Sequence, residues 1–308
     1  MEVSKVDKLK KFVNKYTPVI MLLPALIGVL IIQIYPSLDS IRLSFTDKSL
    51  LNPITSYVGF DNYIKALSDP QTWQTILNTL VFAVLSLALG AVFAMLVANE
   101  LNKKFRGRTF FRAMFLAPWV TPPLVTSAIW QLLLSETFSP INGLLMQLGW
   151  IDKPINFLGN TEPILGFLSM PLISIIIINV WSIFPFLMVM FLAGMQTIPA
   201  EMIEAATVDG ANSVQRFFKI TLPCLMPVIE TSILLEGIWQ FNNFNISYLV
   251  TKGGPLNSTM VMAVDVYTEA FINFNYGSGA TISVLMMLII LFPAVVYLKK
   301  QLRQTDNI

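Results

Sequence analysis

The chain contains no histidine and a single cysteine, Cys224. The first absence removes the commonest general base and the commonest metal ligand together. The second excludes an internal disulfide and a cysteine-built metal cage. Charge is scarce too: 12% of residues are Asp, Glu, Lys or Arg, where a soluble domain carries about 25%. With 55% hydrophobic residues and a mean hydropathy of +0.68, too little polar surface remains to face water on every side. A net charge of +2 gives no reason to expect nucleic acid as a partner. No G-x-x-x-x-G-K-[ST] occurs, so the usual cradle for ATP phosphates is missing and any energy must come from another chain. No catalytic residue and no metal site is assigned.

What the chain has instead is long runs without charge. They extend from Tyr16 to Leu38, Pro70 to Asn99, Ala113 to Ser135, Pro163 to Ala200 and Ala270 to Leu298. A sixth, Ile220 to Thr251, is interrupted only by Glu230, Glu236 and nothing else acidic or basic. About 20 apolar residues of helix cross a hydrocarbon core of roughly 30 Å. In lipid the backbone must satisfy its own hydrogen bonds, so these runs are read as helices. The expectation is an all-α membrane protein, one domain over residues 1–308, with six spans near 17–37, 74–98, 113–134, 164–192, 223–246 and 277–298. The first run is too long for a cleavable signal peptide, and no small-residue cleavage site follows Pro36.

Basic residues orient the spans. With both termini inside, the inner segments hold fifteen of the twenty: five from Lys5 to Lys15, five from Lys103 to Arg112, Arg216 and Lys219, and Lys299, Lys300 and Arg303. The outer segments hold five: Arg42, Lys48, Lys65, Lys153 and Lys252. This excess predicts an N-in, C-in topology. Among the outer segments, 136–162 carries the apolar stretch Ile141 to Trp150, too short to span and placed at the interface.

The inner segment 198–223 is the most informative. Pro199 to Val208 reads as a short helix after a proline. Gly210 ends it by taking positive φ, Asn212 or Ser213 caps the next segment, and Pro223 opens the fifth span. On physics alone this is a surface helix pair joining two spans. The residues say more. Glu204-Ala205-Ala206, then Gly210, then Ile220-x-Leu222-Pro223 reproduces the signature loop of the ABC-transporter permease family, and the chain resembles that family here without departure. The resemblance implies the type I importer permease fold and makes this loop a coupling helix for a cytoplasmic ATPase dimer. Ala205 and Ala206 allow close approach, Glu204 offers a carboxylate, Gly210 permits the sharp turn, and Asp209 belongs to the same coupling set. ATP and Mg²⁺ would be bound by those partner subunits and no cofactor by this chain.

Further segments resemble the maltose-type carbohydrate importers: Tyr35-Pro36-Ser37, Ser44-Phe45-Thr46-Asp47, Val58-Gly59-Phe60-Asp61-Asn62-Tyr63, Phe241-Asn242-Asn243-Phe244 and Thr251-Lys252-Gly253-Gly254-Pro255. The likeness implies an oligosaccharide importer in a bacterial plasma membrane. Its partners would be a second homologous permease, the ATPase dimer and an extracellular solute-binding protein. On the fifth span Glu236, Trp239, Gln240 and Asn243 fall at i, i+3, i+4 and i+7, one helix face. A carboxylate, two amides and an indole suit a sugar, and the family places its path on this helix. The bland alternative is interhelical packing by the amides. Trp181, Ser182 and Phe186, around Pro185 on span four, are the expected opposing wall. Glu230, further round the fifth span, is read as a packing or gating carboxylate. Two other classes remain open. A self-sufficient secondary transporter or channel would explain the helices but not the loop. A membrane enzyme would have to run on Glu230 and Glu236, which lie on different faces.

Overall fold

A computed structural model describes residues 16–305 except Pro18, Leu165 and Phe167. The basic N-terminal residues Lys5 to Lys15 lie outside the described residues. The helices are α1 (Val19–Ser44), α2 (Asp61–Ser68), α3 (Pro70–Asn102), α4 (Arg108–Val120), α5 (Pro123–Leu133), α6 (Pro140–Gln147), α7 (Met170–Gln196), α8 (Ala200–Val208) and α9 (Ser213–Arg216). A π turn, Phe217–Thr221, carries α9 into α10 (Leu222–Phe241), which is followed by α11 (Asn245–Thr251), α12 (Met262–Tyr267) and α13 (Tyr276–Thr305). No named strand forms among the described residues.

The helix starts follow local chemistry. Asp69 and Ser169 accept hydrogen bonds from Gln71 N and Leu172 N, capping α3 and α7. Each helix then has a proline in its first turn, where the missing N–H costs nothing. Among the described residues, five helical stretches are long and apolar enough to cross a membrane. The run expected as the third span is different. It divides into α4 and α5, bent by 94° at Thr121-Pro122. A proline disfavours helical geometry in the residue before it, and Thr121 is extended, at φ −72° and ψ 128°. The expected fifth span lies within one apolar stretch, Ser213–Thr251, that is interrupted between the end of α10 at Phe241 and the start of α11 at Asn245.

The central helix is α7. It packs along α3, and also against α10 and α4. Small residues let α3 come close: Ala94 and Ala98 are fully buried beside Phe184, Leu187 and Phe191. On the same face of α7 as Leu187 and Phe191, a Cβ on Gly194 would stand 2.7 Å from Leu225 of α10, which joins this cluster. Close backbone approach of this kind drives helix association where lipid offers no hydrophobic contrast. α1 is the outermost helix and meets the bundle through its C-terminal part and α13. That seam uses the segments around Ser44 and Asn62. Asn62 Nδ2 donates to Ser44 O and Thr46 O, at 2.9 and 2.8 Å, and Thr281 Oγ1 donates to Ser44 O at 3.2 Å. The rings of Phe45, Phe60 and Tyr63 close over it. These motif segments are joints of the fold.

At the same end, a cavity of about 360 Å³ is lined by Asn62, Lys65, Asp69, Asp265, Glu269 and Asn275 among others. Burial first, then the carboxylates of Glu269 and Asp69, push the Asp265 carboxyl from its ordinary 3.8 up to about 6. The folded chain therefore holds this proton more tightly than the unfolded chain. Ionisation destabilises it increasingly between pH 4 and 6 and by a constant amount above that. Asp265→Asn should raise the melting temperature of the purified protein by a few degrees at pH 7.5, with a gain that shrinks as the pH falls toward 4. Identical melting of both proteins at pH 7.5 would show that Asp265 carries no such penalty.

Candidate functional site

The fifth-span stripe divides once it is folded. Glu236 and Gln240 are buried, at 3% and 4% exposure, and Trp239 is half exposed at 48%. Gln240 Nε2 donates to Glu236 Oε1 at 2.5 Å. Gln240 Oε1 accepts from Asn179 Nδ2 of α7 at 2.6 Å and from Asn243 Nδ2 at 3.1 Å. Asn243 Nδ2 also reaches Asn179 Oδ1 at 3.1 Å, and its own Oδ1 accepts from Ile246 N. The amides therefore bind α10 to α7 and hold the break after α10 in place.

Beside this network lies a cleft of about 360 Å³, lined by residues of α4, α5, α7 and α10. Glu236, Trp239, Gln240, Asn243 and Ser182 are all in its lining, with Asn179, Trp119 and Thr126. Ser182 Oγ donates to the Ile178 carbonyl at 3.0 Å. Phe186 backs the cleft: its ring lies 5.3 Å from that of Trp239 and 6.0 Å from that of Trp119. Trp181 stands apart, edge-on to Trp130 at 6.0 Å. No lysine or arginine is among the lining residues. Glu230 is elsewhere, 2.5 Å from Lys300 Nζ, joining α10 to α13 beside a 2.8 Å contact of Thr231 Oγ1 with Tyr297 Oη.

Asn179 and Trp119 are the residues that sequence reasoning missed. Asn179 had a signal, a lone amide between Ile178 and Val180 in an apolar run. Trp119 had none, because the bend at Thr121 brings it to the cleft.

A second site is the exposed helix α8. It buries none of its residues. Glu204, Ala205, Asp209 and Gly210 are exposed and Ala206 is half-buried. Met202 and Val208 also present apolar side chains outward. Gly210 takes φ +81°. Its N–H donates to Thr207 O at 3.1 Å, and Ala211 N donates to Ala206 O at 2.9 Å. This is the left-handed helix stop expected for glycine. Asn212 then caps α9 through a reciprocal pair with Gln215.

Comparison with known proteins identifies the family of the chain. Among curated relatives, the trehalose/maltose transport system permease protein MalF of Thermococcus litoralis is 33% identical over 280 residues, covering 91% of this chain and 92% of that one. The sn-glycerol-3-phosphate transport system permease protein UgpA of Brucella abortus is 29% identical, again covering 91% and 92%. A chain of a bacterial ABC transporter involved in the import of the acidic polysaccharide alginate shares the fold. It superposes with a TM-score of 0.77 at 23% identity, over 94% of this chain and 98% of that one. The model of the family described as binding-protein-dependent transport system inner membrane component matches residues 90–303, a stretch that holds the cleft, the whole of α8 and its glycine stop. This chain is a multi-pass membrane protein belonging to that family, the permeases of ABC importers.

Proposed function

We propose that the chain is one of two membrane-spanning subunits of an ATP-driven importer for a carbohydrate, specifically a neutral oligosaccharide. The observation that carries the substrate class is the cleft between α4, α7 and α10. Two indoles, Trp119 and Trp239, line it beside amides and a carboxylate. An aromatic face suits the apolar face of a sugar ring, and polar neighbours suit its hydroxyls. A phosphate ester or a uronate would meet Glu236 there and no cation, an unfavourable exchange for its lost hydration. The glycerol phosphate and alginate relatives therefore differ from this chain in the charge of their cargo.

The fifteen-to-five excess of basic residues supports placing both termini, and with them α8, on the cytoplasmic side of a bacterial plasma membrane. There α8 would dock in a cleft of the ATPase dimer, with Glu204 toward a basic partner and Ala205 and Ala206 at close range. ATP and Mg²⁺ belong to that dimer. A binding protein outside delivers the sugar, and a second homologous permease completes the path. Closure of the ATPases on ATP pulls α8, rocks the spans outward-open, and hydrolysis resets them. A self-sufficient transporter would leave the outward apolar surface of α8 without a purpose.

Trp239→Ala tests the cleft. The concentration of sugar-loaded binding protein needed for half-maximal uptake should rise roughly ten-fold, which is about 1.4 kcal/mol of lost aromatic contact. Trp239→Phe should fall between, and complex assembly should be unchanged. Half-saturation that is indifferent to both changes would return Trp239 to simple packing.

A further inference from the structure

The junction between α3 and α4 lies outside the cleft and outside α8. Between Asn99 and Ser135 the chain has five basic residues, Lys103, Lys104, Arg106, Arg108 and Arg112, and one acidic residue, Glu100. Glu100 is engaged by Lys103 at 2.6 Å. Arg112 Nη2 donates to Leu101 O at 3.2 Å and ties the start of α4 back to the end of α3. Lys104, Arg106 and Arg108 form no ion pair among the described residues. Gly107, at φ +89°, reverses the chain between them. Lys104 and Arg108 consequently line one cleft of about 380 Å³, with Phe105, Gly107 and Thr109.

The aromatic residues beside this cleft face outward. Phe110 is 68% exposed, and Phe105 and Phe111 are 43% and 40% exposed. Their rings cluster, with centroids 5.8–6.0 Å apart. The position along the membrane matters as well. The 33 residues of α3 reach about 50 Å at the rise of an α-helix, well beyond a hydrocarbon core of roughly 30 Å. The end of α3 therefore stands among headgroups. Unpaired cations flanked by exposed aromatic rings at that depth match a lipid boundary: rings enter the acyl edge while guanidinium and ammonium groups reach phosphate oxygens.

We infer that the α3–α4 junction binds the phosphate of an anionic phospholipid headgroup through Lys104, Arg106 and Arg108. The inference rests on the membrane placement of the chain and is independent of the sugar reading. Charge complementarity and the flanking rings favour lipid over a protein partner.

The test uses the assembled transporter in nanodiscs of equal phosphatidylcholine and phosphatidylglycerol, with the retained lipid counted by native mass spectrometry. Phosphatidylglycerol should be enriched. Each cation near an anionic surface contributes roughly five-fold in affinity. K104Q/R106Q/R108Q should accordingly lose retention on the order of 100-fold, and K48Q/K65Q/K153Q, charge-matched on other loops, should keep it. If the triple variant fails to insert, K104Q and R106Q alone should each lose about five-fold. Equal retention of the two lipids, or retention unaffected by these variants, overturns the proposal. Displacement of the lipid by inorganic phosphate would assign the cleft to a free anion instead. Loss of the ATPase subunits from the triple variant, with lipid retention unaltered, would assign it to a protein contact. Either of these outcomes also overturns it.

Discussion

Gly210→Pro is expected to abolish ATP-driven uptake while the chain still inserts and assembles with its second permease. The expectation follows from what Gly210 does and from what surrounds it. Its φ of +81° is inaccessible to proline, whose ring holds φ near about −65°. Proline would also delete the N–H that bonds Thr207 O, so the stop of α8 loses its conformation and one of its two closing bonds. A Cβ at this position would meet nothing within 4 Å; crowding is therefore not the cause, and the lesion is one of chain direction and of this one backbone bond. Because α8 buries no residue, the bundle does not depend on it for packing. A graded series separates the causes. Gly210→Asn should transport nearly as well as the parent, since asparagine tolerates the left-handed region. Gly210→Ala places its Cβ in open space but bears about 1–2 kcal/mol for the left-handed backbone, and should retain partial uptake. Glu204→Ala should abolish coupled uptake with no change in melting, because Glu204 is exposed. Uptake at the parent rate by G210P or by E204A, measured in vesicles with confirmed assembly, would remove α8 from the coupling role.

The helical spans were legible because lipid enforces a simple rule: a charge-free run of sufficient length must become helix. Pro199, Gly210 and Asn212 were legible for a local reason, since cap and turn chemistry is decided within a few residues. The third run was only partly legible. Thr121-Pro122-Pro123 announces a kink, but the 94° bend depends on what each half packs against: α4 on α7, and α5 on α11. The stripe on α10 was legible as a face and illegible as a network. Helical spacing placed Glu236 and Gln240 together, and they are bonded. It could not show that Asn179, 61 residues before Gln240, closes on the same amide. Nor could spacing carry Asn243 past the end of α10 at Phe241, where the helix breaks and the side chain turns back. The sequence pattern thus located the polar centre of the bundle. Division of labour within it, amides for joining helices and indoles for the cleft wall, required the fold.

That division leads to an expected result for Gln240→Leu: marked loss of stability, larger than for a change in either indole of the cleft, Trp119 or Trp239. The leucine would strand Glu236 Oε1, whose bond comes from Gln240 Nε2, and would strand the Asn179 Nδ2 donor as well. A buried group left without its partner loses roughly 1–3 kcal/mol, more if it is charged. Both groups are buried, at 3% and 1% exposure, so water from the adjoining cleft replaces the lost bonds only in part. The total is on the order of 3 kcal/mol or more, enough to lower membrane yield and melting temperature together. The partner experiment is the double variant E236L/Q240L. It removes the carboxylate along with its donor, and paired replacement by apolar side chains of similar size is often close to neutral. Asn179 and Asn243 keep their mutual bond in that variant. The double variant should therefore melt above the single Q240L, a non-additive rescue that identifies the Glu236–Gln240 pair as coupled. A Q240L protein that melts with the parent, or a double variant worse than either single one, would mean that the network does not hold α10 against α7. Trp239 is untouched by these changes. If the rescued double variant also keeps the parent's half-saturation for uptake, recognition belongs to the indole wall; if half-saturation rises, the buried carboxylate and amide contribute to sugar binding as well as to joining the helices.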